Sequence, residues 1–295
     1  MRYKKKAGDI IFDSFNVFLM LVIIFLVVFP FWQILMISLN DATDAVRGGI
    51  YFWPRQFSLA SYKEVFSNAK LIPAFSITIL KTISGTALSV GLTALFAYAL
   101  SKKRLVGRKF YSLFALITLF FSGGLIPYYT LIINLKLDDN FLVYIIPGVV
   151  NVFNMIILRV FFSAIPASLE ESAKMDGASD FRVLMSIYMP LSVPAIATIS
   201  LYVAVAQWNS WFDAQLFIIE NEKLLPLQAI LMRIITQNDS EQINKLIGQK
   251  GAEIKVTGES LKLAMIIVVT VPIMAVYPFL QKHFVKGMML GSVKE

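Results

Sequence analysis

The sequence predicts an all-α membrane protein with six transmembrane helices. Three observations carry that expectation. The chain has 295 residues, of which 57% are hydrophobic and only 16% charged, more apolar side chain than a soluble domain of this size could cover. The apolar residues gather into runs of about 20, the length of helix that crosses a hydrocarbon core. Basic residues cluster at the ends of these runs, so a net charge of +8 reads as positive-inside topology and not as a nucleic-acid surface.

Composition also narrows the chemistry. There is no cysteine, hence no disulfide, thiolate metal site or cysteine nucleophile, and one histidine, His283. Zinc clusters and histidine-based triads are thereby nearly excluded. The phosphate loop GxxxxGK[ST] is absent, so the chain is not expected to hydrolyse ATP by that route or to be an enzyme.

Taken in order, residues 1–14 form a cytoplasmic tail whose Arg2, Lys4, Lys5 and Lys6 precede the first span, 15–37. No small-residue cleavage site ends that run, so it reads as a retained anchor and not a signal peptide. Residues 38–73 make an external loop, with Tyr51, Phe52 and Trp53 as an interface belt. A core of five further spans occupies 74–282. The second span, 74–100, pairs Gly85 with Ser89 and Ala87 with Gly91, spacings that let helices approach closely in lipid. Lys81 is expected to snorkel from its outer end. Lys102, Lys103, Arg104, Arg108 and Lys109 then fix the cytoplasmic side.

The third span, 110–133, is interrupted by Ser122-Gly123-Gly124 and Pro127-Tyr128. Such a break serves either close packing or the lining of a cavity. The fourth, 141–162, carries Pro147-Gly148 and the amides Asn151 and Asn154. The fifth, 195–212, ends in Gln207, Trp208, Asn209 and Trp211, which suit either an interface anchor or a sugar site, where rings stack on a pyranose and amides pair with hydroxyls. An external loop, 214–259, holds Leu227, Ile230, Leu231 and Ile234 at the spacing of an amphipathic surface helix. The sixth span, 261–280, returns the chain to a cytoplasmic tail, 283–295.

Between the fourth and fifth spans, residues 163–194 form a polar loop with helix signals of its own. Ser168 and Glu171 have the spacing of a capping box, and Gly177 stands where a C-cap glycine ends a short helix. Leu169, Ser172, Ala173 and Asp176 make one face with small side chains at its centre. Ser179 can cap a second helix, whose Phe181, Leu184, Met185 and Tyr188 fall on one face.

The run Glu171-Ser172-Ala173-Lys174-Met175-Asp176-Gly177-Ala178, followed by Pro190-Leu191 and Pro194, resembles the EAA loop of ABC importer permeases. Ser172 replaces the usual first alanine, a small-for-small change. Further stretches, 121–127, 147–159, Trp208 to Trp211, 226–228 and 276–287, resemble the second permease of carbohydrate importers such as the maltose system. The nearest branch is the Firmicute importers of plant-polysaccharide oligosaccharides. The resemblance implies a type I transmembrane domain in the plasma membrane of a bacterium, Gram-positive by branch, with both termini cytoplasmic. It implies a homologous second permease, an ATPase dimer holding ATP and Mg, an extracytoplasmic solute-binding lipoprotein and a sugar or oligosaccharide substrate. It assigns ATPase coupling to Glu171, Ser172, Ala173, Asp176, Gly177, Ala178 and Phe181. Tyr128, Asn151, Asn154, Trp208, Asn209 and Trp211 are the candidates for the substrate pathway, and the tail 287–295 for insertion between the ATPases. The rival is an ion-coupled secondary transporter, which would be expected to carry buried carboxylates at mid-membrane.

Overall fold

The computed structural model describes residues 7–67, 70–236 and 257–292, with side chains up to residue 275. The basic head, most of the polar tract in the last external loop, and the side chains of the C-terminal tail lie outside the described residues. The regular elements among them are all helices, apart from one isolated bridge between Asn40 and Phe57. Two compact units divide the chain: residues up to 69 with Ile234–Thr270, and Lys70–Arg233 with residues from Val271 onward.

In the first unit α1 (Ala7–Ser38) is apolar all round, and none of its most apolar stretch is covered by the chain itself. A helix of that kind needs lipid or a partner on every side. Pro30 lies inside it without ending it. The following loop is ordered by polar contacts. Asp41 caps α2 (Ala42–Ala45) by accepting from the backbone of Thr43 and Asp44. The buried Asp44 accepts from Asn40 Nδ2 at 2.9 Å and from Arg55 Nε at 3.0 Å. Trp32 Nε1 donates to the Phe52 carbonyl at 3.1 Å, beneath the exposed Tyr51, Phe52 and Trp53. A short α3 (Ala60–Ser67) completes this run.

The second unit is built on α4 (Leu71–Ser101), where Ala94 and Ala97 are buried and let neighbours close in. The third span is broken as its glycines predict: α5 (Arg108–Phe120) and α6 (Leu125–Asn134) meet at 113°. Gly124, in the break, has φ +86°, a conformation costly for any side chain. The fourth span departs from expectation. Only α7 (Val152–Ser163) is a regular helix, because Pro147 and Gly148 leave residues 145–151 irregular after a single 3₁₀ turn at Phe141–Tyr144.

Next come α8 (Ala167–Met175), α9 (Asp180–Val183) continuing as a π turn over Leu184–Tyr188, and α10 (Met189–Leu191). The fifth span is α11 (Val193–Asn209), set at 87° to the helices before it and followed by α12 (Phe212–Phe217). The core of the unit joins Val90, Ala94 and Ala97 to Leu158 and Phe162 of α7 and to Ala195 and Ile199 of α11. The amphipathic segment becomes α13 (Leu227–Thr236), but not on the surface. Leu227, Ala229 and Leu231 are buried, and the Leu227 N–H donates to Thr78 Oγ1 of α4 at 2.8 Å. Last, α14 (Gly258–Ser292) supplies the sixth apolar stretch through Ala275. Among the described residues three helices are long and apolar enough to span a membrane alone, and three bent pairs bring the number to six if each counts as one span.

Candidate functional site

Two places in the second unit gather the chemistry. The first is α8. It starts directly after Pro166 with no side-chain cap, so Ser168 lies inside the first turn and the expected capping box does not form. Its end is a Schellman motif: the Gly177 N–H donates to Lys174 O at 3.0 Å and the Ala178 N–H to Ala173 O at 2.9 Å. Gly177 has φ +82°, and an added Cβ would meet nothing within 4 Å, so glycine is required by backbone conformation and not by obstruction. Ser179 Oγ then accepts from the Arg182 N–H at 3.3 Å, capping the next turn as expected.

The π turn alters the face that follows. It adds a residue to one turn, so Phe181 and Met185 are exposed while Val183, Leu184 and Tyr188 are buried, and the expected four-residue face is split. On α8 itself Leu169, Glu171, Ser172, Met175 and Asp176 are exposed, Met175 at 89%. Ala173, expected on that face, instead packs with Ala178 against the chain's own core.

Behind the exposed stripe lies a charge cluster that sequence reasoning missed, centred on Glu170 and not on its neighbour Glu171. Glu170 Oε2 accepts from Lys102 Nζ, and from Tyr188 OH at 2.9 Å. Its Oε1 lies 3.0 Å from Lys174 Nζ and 3.5 Å from Arg104. Asp180 Oδ1 is 2.8 Å from both Lys174 and Arg104. The Lys102 ammonium sits 3.9 Å from the centroids of both the Tyr98 and Tyr188 rings. Burial holds it below the ordinary lysine value, against the opposing pull of Glu170.

The second place is a cavity of about 300 Å³ walled by Ser89, Tyr128, Tyr144, Asn151, Gln207 and Asp213 among others. Tyr128 OH donates to Asp213 Oδ1 at 3.0 Å, and Gln207 Nε2 to the Tyr144 carbonyl at 3.1 Å. Ser89 Oγ is buried and finds no hydrogen-bond partner among the described residues. Lys81 does not snorkel. It is fully buried, its Nζ donating to both the carbonyl and the hydroxyl of Ser210 at 2.7 Å.

Of the expected pathway residues, Tyr128 and Asn151 reach this cavity. Asn154 is buried beside it, its N–H donating to Asn151 Oδ1 at 3.0 Å. Trp208, Asn209 and Trp211 are not on the wall. Trp208 meets Phe75 edge-on, Asn209 accepts from Gln228 at 3.0 Å, and Trp211 packs on Phe212. Ser89 and Asp213 were missed, although a lysine inside an apolar span was the signal that could have pointed to this place. Among the described residues no three Asp, Glu or His side chains converge as metal ligands.

No family model matches the chain. It is 38% identical over 284 residues to the polygalacturonan/rhamnogalacturonan transport system permease protein YtcP of Bacillus subtilis strain 168, covering 96% of this chain and 98% of that one. It is 37% identical over 292 residues to protein LplC of the same organism, covering 99% and 97%. Among solved structures it is similar to a chain of a bacterial ABC transporter involved in the import of the acidic polysaccharide alginate. That likeness has a TM-score of 0.86 and 31% identity, over 95% of this chain and 99% of that one.

Proposed function

The chain belongs to the permease subunits of ABC sugar importers, multi-pass proteins of the bacterial plasma membrane, and from that premise we propose a substrate, an orientation and a coupling surface. The substrate is an oligosaccharide released from plant polysaccharide, a choice supported by 38% identity to a polygalacturonan/rhamnogalacturonan permease along nearly the whole chain. A homologous permease completes the pathway, an extracytoplasmic solute-binding lipoprotein delivers the sugar, and an ATPase dimer holding ATP and Mg²⁺ drives the cycle. Both termini and α8 face the cytoplasm of a Gram-positive cell, as the basic cluster from Lys102 to Lys109 favours.

The observation that carries the coupling surface is the two-sidedness of α8. Leu169, Glu171, Ser172, Met175 and Asp176 stand exposed on one side, with Phe181 extending the patch, while Ala173 and Ala178 seat the other side on the membrane core. ATP binding closes the ATPases, the seated helix moves as a body, and the spans change from inward-open to outward-open. Tyr128 and Asn151 belong to the sugar pathway, with Asn154 behind them. Trp208, Asn209 and Trp211 stand off the cavity and buttress the pathway through Phe75, Gln228 and Phe212. Co-purification of the ATPases and uptake of a rhamnogalacturonan oligosaccharide test this reading with Met175→Glu. Both should be lost while membrane insertion persists; retention of both rejects the surface.

A further inference from the structure

Both covalent connections of α8 are joints. It follows α7 through a 76° bend at Pro166, and it leaves through the left-handed turn at Gly177. A helix of nine residues hinged at both ends cannot pass on a push unless something braces it. The brace is visible. Lys102 stands one residue beyond the end of α4, pinned between the Tyr98 ring of α4 and the Tyr188 ring of the π turn, and its ammonium donates to Glu170 of α8. The side chains of Lys102 and Glu170 are only 12% and 13% exposed, so water screens this pair poorly. Tyr188 closes the triangle by donating to the same carboxylate at 2.9 Å. The flanking contacts of Arg104 with Glu170 and Asp180 are far more exposed on the arginine side, at 61%, and weaker as mechanical links.

From that brace α4 runs unbroken back to the cavity. Ser89 is on the cavity wall, Lys81 lies beneath it, and Gly85 is where an added Cβ would come within 2.9 Å of the Gln207 side chain. Lys81 and Lys102 are separated by about 30 Å along the axis, at about 1.5 Å per residue. We propose that Lys102 and Glu170 are the positioning pair that locks the coupling helix to α4, so that α4 carries its displacement to the cavity. This rests on the coupling reading of α8 given above. Lys102 is a positioning residue: it acts by fixing α8 relative to α4.

The test uses the complete transporter in proteoliposomes, with both permeases, the ATPases and the binding lipoprotein, and reads sugar taken up per ATP hydrolysed. Lys102→Met keeps length and removes charge. It should leave complex yield and ATP hydrolysis close to wild type and lower uptake per ATP about tenfold, the size of a typical coupling loss. Glu170→Gln should do the same, and Lys102→Arg, which keeps the charge between the rings, should restore most of the ratio. An unchanged ratio in Lys102→Met overturns the proposal, since a merely structural role would lower yield without uncoupling the two rates. Should the wild-type chain fail to capture its ATPases, the coupling reading fails. The brace is then judged in the purified chain in nanodiscs by hydrogen exchange. Lys102→Met and Glu170→Gln should speed exchange of amides 168–178 about tenfold without altering α7, as loss of a local tether would. Equal exchange in wild type and both variants overturns the brace.

Discussion

Lys81 shows most plainly how a residue's surroundings overrule its type. A lysine near a span end is expected to reach water, yet its partner, Ser210, comes from 129 residues further along the chain and keeps it buried. No local pattern announces such a partner. Replacing Lys81 with Met should strand the Ser210 carbonyl, while the Ser210 hydroxyl keeps its bond to Gln207 O, and lower stability by about 1–3 kcal/mol, read as thermal unfolding in nanodiscs. Glu170 and Glu171 teach the same lesson at neighbouring positions. Both suit a coupling loop, and only packing decides that the first turns inward to Lys102. Asp139 is legible in neither its conformation nor its role. With φ +47° it accepts from the N–H groups of Ile219, Glu220 and Asn221, which hold its carboxyl below the usual carboxylate range. A depressed folded-state value contributes stability above the unfolded value and loses it as pH falls through the folded one. Asp139→Asn keeps an acceptor and tolerates positive φ. Wild type should therefore melt higher than this variant at neutral pH, with the gap closing below about pH 4. A gap that is constant with pH would remove the charge from the account.

At the scale of elements, what could be read was what local chemistry dictates. The Ser179 cap and the Gly177 turn were legible because an orphaned N–H or a positive φ admits few residue types. The face after Ser179 was not, because one π turn breaks the 3.6-residue period on which every amphipathic reading depends. For α13 the period was right and the environment wrong, since an apolar stripe meets a protein groove as readily as a lipid surface. The fourth span was overestimated because apolar residues continue through Pro147-Gly148 although the helix does not. The Schellman turn yields a sharp expectation. Gly177→Ala should cost about 1–2 kcal/mol from the left-handed backbone alone, with Gly177→Asn milder. Uptake should follow the same order, glycine above asparagine above alanine. Because nothing crowds position 177, Ala and Leu should be equally harmful, and a much worse Leu would show that a partner lies against it.

For the whole molecule the decisive question is what drives transport. The pattern of apolar runs and basic clusters made the membrane architecture legible, and the loop before the fifth span made the family legible. The polar interior of the second unit was not, for it assembles from α4, α6, α11 and α12 and the irregular stretch before α7. That interior places a carboxylate, Asp213, on the cavity wall, with Lys81 buried against Ser210 nearby. An ion-coupled carrier needs a carboxylate of that kind, whereas an ATP-driven permease needs the pair only as fixed polarity that shapes the sugar path. The two separate cleanly in proteoliposomes holding the full complex. With ATP supplied, uptake should continue when ionophores collapse the proton and sodium gradients, and Asp213→Asn should weaken apparent sugar affinity without making uptake dependent on a gradient. With ATP withheld, an imposed gradient should drive nothing. Gradient-driven uptake without ATP, abolished by Asp213→Asn, would make Asp213 an ion site and α8 a loop with no motor to meet.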